Sequence, residues 1–236
     1  MKKLVLVLAS LLISFPLLLT ACSNPGPSET KQYNFADFTG VQAGGAFDVV
    51  ITPLSTYSVS ISAPQNWFKH MTIKKSGSTL EVGMNFGFWD FWRNLGSKPK
   101  LEVSMPELDN LNLSGASSAD VDIGAYDTSI AVTGASHATG ILNINDLTLD
   151  VSGASNITLS GTGNNLNLKV YGASGADLGN LQVKDAMVEL RGASHGTVDT
   201  SGKLDINASG ASSLSYVGNP TIGTIDVTGA SSIHQK

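Results

Sequence analysis

Seven copies of Gly-Ala-Ser, beginning at Gly115, Gly134, Gly153, Gly172, Gly192, Gly210 and Gly229, are separated by 19, 19, 19, 20, 18 and 19 residues. A period this short and regular restricts the chain to a solenoid in which each repeat is one coil stacked on the next. Four residues before each glycine stand Leu111, Ile130, Leu149, Leu168, Val188, Ile206 and Ile225. Two before it stand Leu113, Val132, Val151, Val170, Leu190, Ala208 and Val227, with mostly polar residues between the two rows. This period-two alternation is that of a half-buried strand, apolar side inward. The glycine permits a sharp turn through positive φ, and Ala and Ser fit a tight corner.

A second strand is expected after each corner, as at Val121-Asp122-Ile123 and Ile157-Thr158-Leu159. A looser far-side turn follows, as at Gly124–Asp127 and Gly218-Asn219-Pro220. In-register stacking places Asp150, Lys169 and Glu189 in one outward column, the lysine between two carboxylates. Only 14% of residues are charged and 25 are glycine, which disfavours long amphipathic helices. The fold class is therefore all-β: a parallel β-helix or solenoid with coils of about 19 residues turned at Gly-Ala-Ser corners.

Residues 107–236 hold the seven coils, and 33–106 read differently. There, Phe47–Ile51, Tyr57–Ile61, Met71–Ile73, Thr79–Val82 and Lys100–Val103 alternate as strands without Gly-Ala-Ser. This region is expected to form irregular first coils or an antiparallel cap, either of which shields an open solenoid edge. Together, 33–236 read as one continuous domain.

The amino terminus carries a targeting signal. Met1-Lys2-Lys3 is followed by an apolar run from Leu4 to Leu19, broken by Ser14 and Pro16. That is a secretory signal rather than a permanent membrane span. Leu19-Thr20-Ala21-Cys22 resembles the lipobox of bacterial lipoproteins. The resemblance implies a signal peptide over 1–21 and lipid on Cys22, the first residue of the mature chain. Residues 22–32 then read as a flexible tether. The expected location is the cell envelope, anchored by lipid. By resemblance to lipoprotein sorting in enteric bacteria, Ser23 and the lack of Asp after the cysteine imply the outer membrane where the host has one, and otherwise the outer face of the cytoplasmic membrane is expected. Cys22 is the only cysteine, which excludes an intramolecular disulfide and a thiolate metal cluster. The mature chain has 12 basic against 19 acidic residues, a poor match for nucleic acid.

Three features resemble the putative autotransporter adhesin, head GIN domain family, a domain of unknown function. They are Phe47-Asp48-Val49-Val50-Ile51 after a double glycine, Val103-Ser104-Met105-Pro106-Glu107-Leu108 leading into the first repeat, and the chain of Gly-Ala-Ser corners. The resemblance spans about Phe38 to Ile233. It implies a β-helix like that of the pectin lyases without their catalytic residues, and a role in adhesion or another envelope binding function.

No catalytic constellation, cofactor site or metal site is read from the residues. His137 and His195 share a coil position but lie three coils apart, roughly 14 Å, too far to share one ion. Asp120 and Asp122 both point outward, and the pair does not recur in other coils. The seven corner serines are equivalent, whereas a catalytic serine is a single residue with its own base. Threonine ranks of an ice-binding face are represented only by Thr133 and Thr228. The segment Phe86-Gly87-Phe88-Trp89-Asp90-Phe91-Trp92-Arg93 stands out. Phe86, Phe88, Trp89, Phe91 and Trp92 form either an apolar plug for the solenoid end or an exposed platform for a sugar or a partner. The function expected is non-enzymatic adhesion, by binding a glycan or an envelope or host protein. A polysaccharide lyase or hydrolase and a purely structural scaffold or sensor are the alternatives. Oligomeric state is left open.

Overall fold

The computed structural model describes residues 26–85, 98–124 and 126–236. Nearly every described residue outside turns lies in a strand, and the strands stack as a β-solenoid of about seven turns. A 3-10 turn over Gln65–His70 is the one helical element among the described residues.

Each coil crosses two walls. The first wall leads into the Gly-Ala-Ser corner. It holds β8 (Asn110–Gly115), β10 (Thr128–Val132), β12 (Asp146–Val151), the second halves of β13 (Asn156–Gly172) and β14 (Gly175–Gly192), β16 (Lys203–Gly210) and β18 (Thr221–Val227). The second wall leaves the corner. It holds β9 (Ser118–Gly124), β11 (His137–Asn143), the first halves of β13 and β14, β15 (His195–Thr200), β17 (Ser213–Val217) and β19 (Ser232–Gln235). All these pairings are parallel and one coil apart, as in Ile130↔Leu149 and Ala138↔Ile157. The β13 and β14 strands run through the far-side turn as continuous strands of 17 and 18 residues.

The corner is built from its backbone outward. All seven corner glycines have φ between 72° and 88°. A Cβ on any of them would also stand only 2.3–2.8 Å from the carbonyl oxygen of the corner glycine one coil earlier. That carbonyl accepts the next alanine's N–H, as from Ala135 to Gly115 and from Ala154 to Gly134, both 2.8 Å. Each glycine is thus demanded by its own torsion and by the coil beneath it. The serine has a different task. Its side chain is buried in six of the seven corners, Ser117 to Ser212. The Ser136 and Ser155 N–H groups donate to Ser155 Oγ and Ser174 Oγ, at 3.2 and 3.3 Å. A hydroxyl one coil on thus satisfies an amide that would otherwise be buried unpaired. The apolar rows of the first wall are buried from Leu111 to Ala208. They surface in the last coil, where Ile225 is 52% and Val227 38% exposed.

The amino-terminal region is both coil and cap. The strands β2 (Gly40–Gly45) and β3 (Asp48–Pro53) form a full rung, parallel to β8 and β9 with Gly45↔Gly115. Gly45-Ala46-Phe47 is its corner, with buried Phe47 in the serine's place. Beyond it stand β6 (Thr79–Met84) and β7 (Lys100–Met105), still parallel to β2 and β3. The direction then reverses. In the first wall, β5 (Met71–Ser76) pairs antiparallel with β6, and in the second wall β4 (Ser58–Pro64) pairs antiparallel with β7. Trp67, Phe38 and Leu80 are buried in this end. The outermost strand, β1 (Ser28–Tyr33), corrects the tether reading of 28–32, since it pairs antiparallel with β4 over six residues. Its alternation lacks apolar residues before Tyr33. It is held by main-chain pairing and by Lys31, whose ammonium lies 4.3 Å from the Phe68 ring centre.

Candidate binding surfaces

Cys22 and the aromatic residues Phe86, Phe88, Trp89, Phe91 and Trp92 lie outside the described residues. The strands on either side of that segment in sequence, β6 and β7, are paired at the level of the Gly45 corner, Gly83 with Gly44 and Lys100 with Asp48.

The outward face of the first wall carries the charged column read from the sequence. Asp150, Lys169 and Glu189 are in register on consecutive strands. The ion pair made by Glu189 lies outside this column. Glu189 pairs with Arg191 at 2.5 Å, two residues along its own strand. Arg191 also sits over the Tyr171 ring at 5.8 Å. Burial, and then a hydrogen bond with Glu189, push the Tyr171 phenol above its ordinary range.

On the second wall, His137, Asn156, Gly175 and His195 occupy one row. The missing side chain at Gly175 leaves a notch. A Cβ there would meet His195 Nε2 at 2.3 Å and Asn156 Oδ1 at 2.7 Å. The His195 imidazole therefore leans across one coil toward Asn156, closer than backbone spacing alone suggests. Thr139, Thr158, Asp177 and Thr197 form the neighbouring row. The second wall thus carries an interrupted threonine rank, whereas Thr133 and Thr228, the positions expected for one, stand at the end of the first wall. Among the described residues, no group of three or more His, Cys, Asp or Glu side chains converges as metal ligands.

The site most like a receptor is a shallow groove of about 320 Å³ along the first wall, beside the far-side turns. Asp146, Asn165, Asp185 and Lys203 line it in consecutive coils, with Asn167 and exposed Met187 beside them. The four stand seven residues before Gly153, Gly172, Gly192 and Gly210, and Asp127 holds the same place before Gly134. The sequence reading missed this row because it aligned the coils only from four residues before the glycine. The carboxylates and amides form a ladder. Asp127 Oδ1 accepts the Asp146 N–H at 3.2 Å, Asn165 Nδ2 donates to Asp146 Oδ1 at 2.7 Å, and Asp185 Oδ1 accepts the Lys203 N–H at 2.6 Å. Asp205 closes the groove. Its Oδ2 pairs with Lys203 Nζ at 2.7 Å, and its Oδ1 accepts the Thr224 N–H at 2.7 Å. The lysine hydrogen bond first, and the Thr224 amide second, hold its carboxyl below the usual carboxylate range. The carboxylates and amides of the row have more lone pairs and amide hydrogens than these contacts use. A flat row of alternating donors and acceptors suits a chain of hydroxyl-bearing units, while Met187 offers an apolar edge.

The family described as "Putative auto-transporter adhesin, head GIN domain" matches residues 37–220. No curated protein matches the chain in sequence. Solved structures resemble it at low identity. A putative adhesin from Bacteroides fragilis has a TM-score of 0.77 at 18% identity, over 89% of this chain and 97% of that one. A putative adhesin from Parabacteroides merdae has a TM-score of 0.71 at 16% identity, with the same coverage of both chains. A putative lipid binding protein from Parabacteroides distasonis has a TM-score of 0.66 at 18% identity, again over 89% and 97%. At these identities the likeness concerns the fold.

Proposed function

Because this chain belongs to the putative auto-transporter adhesin, head GIN domain family, we propose that it is a non-enzymatic adhesion module of the cell envelope, held there by lipid on Cys22, that binds a glycan along the first-wall groove. The observation that carries the reading is the groove itself. Its Asp146, Asn165, Asp185 and Lys203 hold one position in consecutive coils, so a polymer lying along the solenoid axis meets a hydrogen-bonding side chain at each step. An ordinary catalytic acid–base pair is instead two carboxylates in unlike surroundings. The membrane supplies position and many anchored copies supply avidity, so weak single contacts suffice.

Two measurements test this. A glycan array probed with the chain from Ser23 onward is expected to give binding to a defined set of polysaccharides. Asn167→Ala and Met187→Ala together are expected to weaken it at least tenfold with the melting temperature little changed, since Met187 is exposed. Silence across the array favours a scaffold, and binding unaffected by the groove variants moves the site elsewhere. In the host, Cys22→Ala is expected to release the protein from membranes. An unchanged membrane fraction would remove the anchor from the proposal.

A further inference from the structure

The carboxy-terminal coil is built like an interior coil but placed like a surface. Ile222 and Ile225 continue the rows of Leu204 and Ile206, which are 0% and 2% exposed, yet they are 39% and 52% exposed. Among the described residues, β18 pairs only with β16, and β19 only with β17. Both walls therefore end in a row of unpaired main-chain donors and acceptors beside an apolar strip. A parallel edge of this kind is a template for another chain.

We propose that the last coil docks against the last coil of a second copy of this chain, about a two-fold axis lying along the strands. Such an axis sets β18 of one copy beside β19 of the other, antiparallel, with the two Gly229 corners at the same end. Residues equally far from the corner then face each other. Val227 meets the partner's Ile233 on the core side, and Asp226 meets the partner's His234 on the outer side. Lys236 lies one step farther along the same strand, so each copy's acid meets the other's basic strand. A two-fold axis across the strands, pairing β18 with β18 and β19 with β19, brings His234 and Lys236 of the two copies together and leaves Asp226 without them. Charge thus selects the first arrangement.

Head-to-tail stacking is disfavoured by the other end. Its outermost strands, β1 and β5, carry Glu29, Lys31, Lys74 and Lys75, and the large side chains behind them, Trp67 and Phe38, are already buried. Among the described residues, neither β1 nor β5 presents a large apolar side chain as exposed as Ile225. The contact is therefore self-complementary and closes at two copies. It is one coil in section, smaller than the roughly 1,200–2,000 Å² of most stable interfaces, so the dimer is expected to be weak in solution. It gains from the crowding of chains tethered on one membrane surface.

Sedimentation equilibrium on the chain from Ser23 onward tests the proposal. The apparent mass is expected to rise from one copy toward two between about 1 µM and about 100 µM. Ile225→Lys, at an exposed position, is expected to hold the mass at one copy throughout, with its melting temperature at 1 µM unchanged. Asp226→Lys is expected to do the same, and adding His234→Asp to restore the dimer by exchanging the charges. A wild-type chain that remains a single copy at 100 µM overturns the proposal. So does a mass that grows past two copies, a dimer that survives Ile225→Lys, or a charge exchange that fails to restore pairing.

Discussion

The two ends of the solenoid solve the same problem in opposite ways. At the amino-terminal end the chain passes Gly45, leaves the coil path at Pro53, and returns at Asn110 beside β2, the first strand of the rung it left. The excursion reverses strand direction and buries Trp67 and Phe38 over the open coil. In the carboxy-terminal coil the inward rows surface at Ile225 and Val227. The same alternation of apolar and polar residues therefore means core in one place and exposed strip in another. What decides is whether a further rung lies on top. Burial in a solenoid is a property of the stack and not of the repeat.

The largest expected difference between the ends is energetic. Trp67→Ala removes a buried aromatic from the cap and is expected to cost about 3–5 kcal/mol, read by urea unfolding. Ile225→Ala, measured below 1 µM to keep chains apart, is expected to cost under about 1 kcal/mol, as at other surface positions. Equal losses at the two sites would show that the last coil is as well covered as the cap.

A smaller contrast separates the coil corners from the turns of the cap. Gly153 has φ +85°, and a Cβ on it would lie 2.5 Å from the Gly134 carbonyl oxygen. Gly77, between β5 and β6, has φ +59° and nothing within 4 Å of such an atom. Gly77→Ala is expected to cost about 1–2 kcal/mol for the torsion alone. Gly153→Ala adds displacement of the neighbouring coil and is expected to cost distinctly more, up to about 3 kcal/mol. If both melt alike, the corner carbonyl gives way freely and stacking does not enforce the glycine.

These contrasts also show what the residues disclosed beforehand. Leu149, Val151, Leu168 and Val170 were legible as core because alternation over several repeats leaves no other face to bury. The first rung was not, because Phe47 stands where serine stands elsewhere and Gly45 precedes Gly115 by 70 residues instead of 19. Phe47 is nonetheless tied into the serine ladder, since its N–H donates to Ser117 Oγ at 3.2 Å. The strand β1 was illegible because Ser28-Glu29-Thr30-Lys31 has no apolar face, and its partner β4 supplies the pairing. The groove row was legible in principle, since Asp127, Asp146, Asn165 and Asp185 keep a fixed distance from their corner glycines. That the residues line a groove depends on wall curvature, which no spacing records.

The smallest effect expected is at low pH, and it too should divide the ends. One carboxylate at each end is held below its usual range. Glu102 on β7 is held there first by the hydrogen bond from Lys100 at 2.6 Å, with Ser60 on β4 donating to its other oxygen. Asp205 on β16 is held by Lys203 and by the Thr224 N–H. That amide lies where a bulge between Ile222 and Ile225 breaks the ladder to β16, so the carboxylate supplies a bond the backbone does not. A depressed pKa means that the unfolded chain binds more protons in this range. The stabilisation is complete above the unfolded-state value, near 4, and is lost as pH falls through the lower folded-state value. When Glu102 is protonated, β4 and β7 keep their main-chain pairing and the buried Val59, Ile61, Leu101 and Val103. When Asp205 is protonated, β18 keeps pairing on one side only, with every residue of the strand exposed. Amide exchange corrected for intrinsic rates, compared at pH 5 and pH 3, should therefore show protection falling several-fold at Ile225 and Val227. Protection at Leu101 and Val103 should hold. Parallel losses at both ends would mean that the side-chain contacts, and not the presence of a cap, set how firmly an end coil is held.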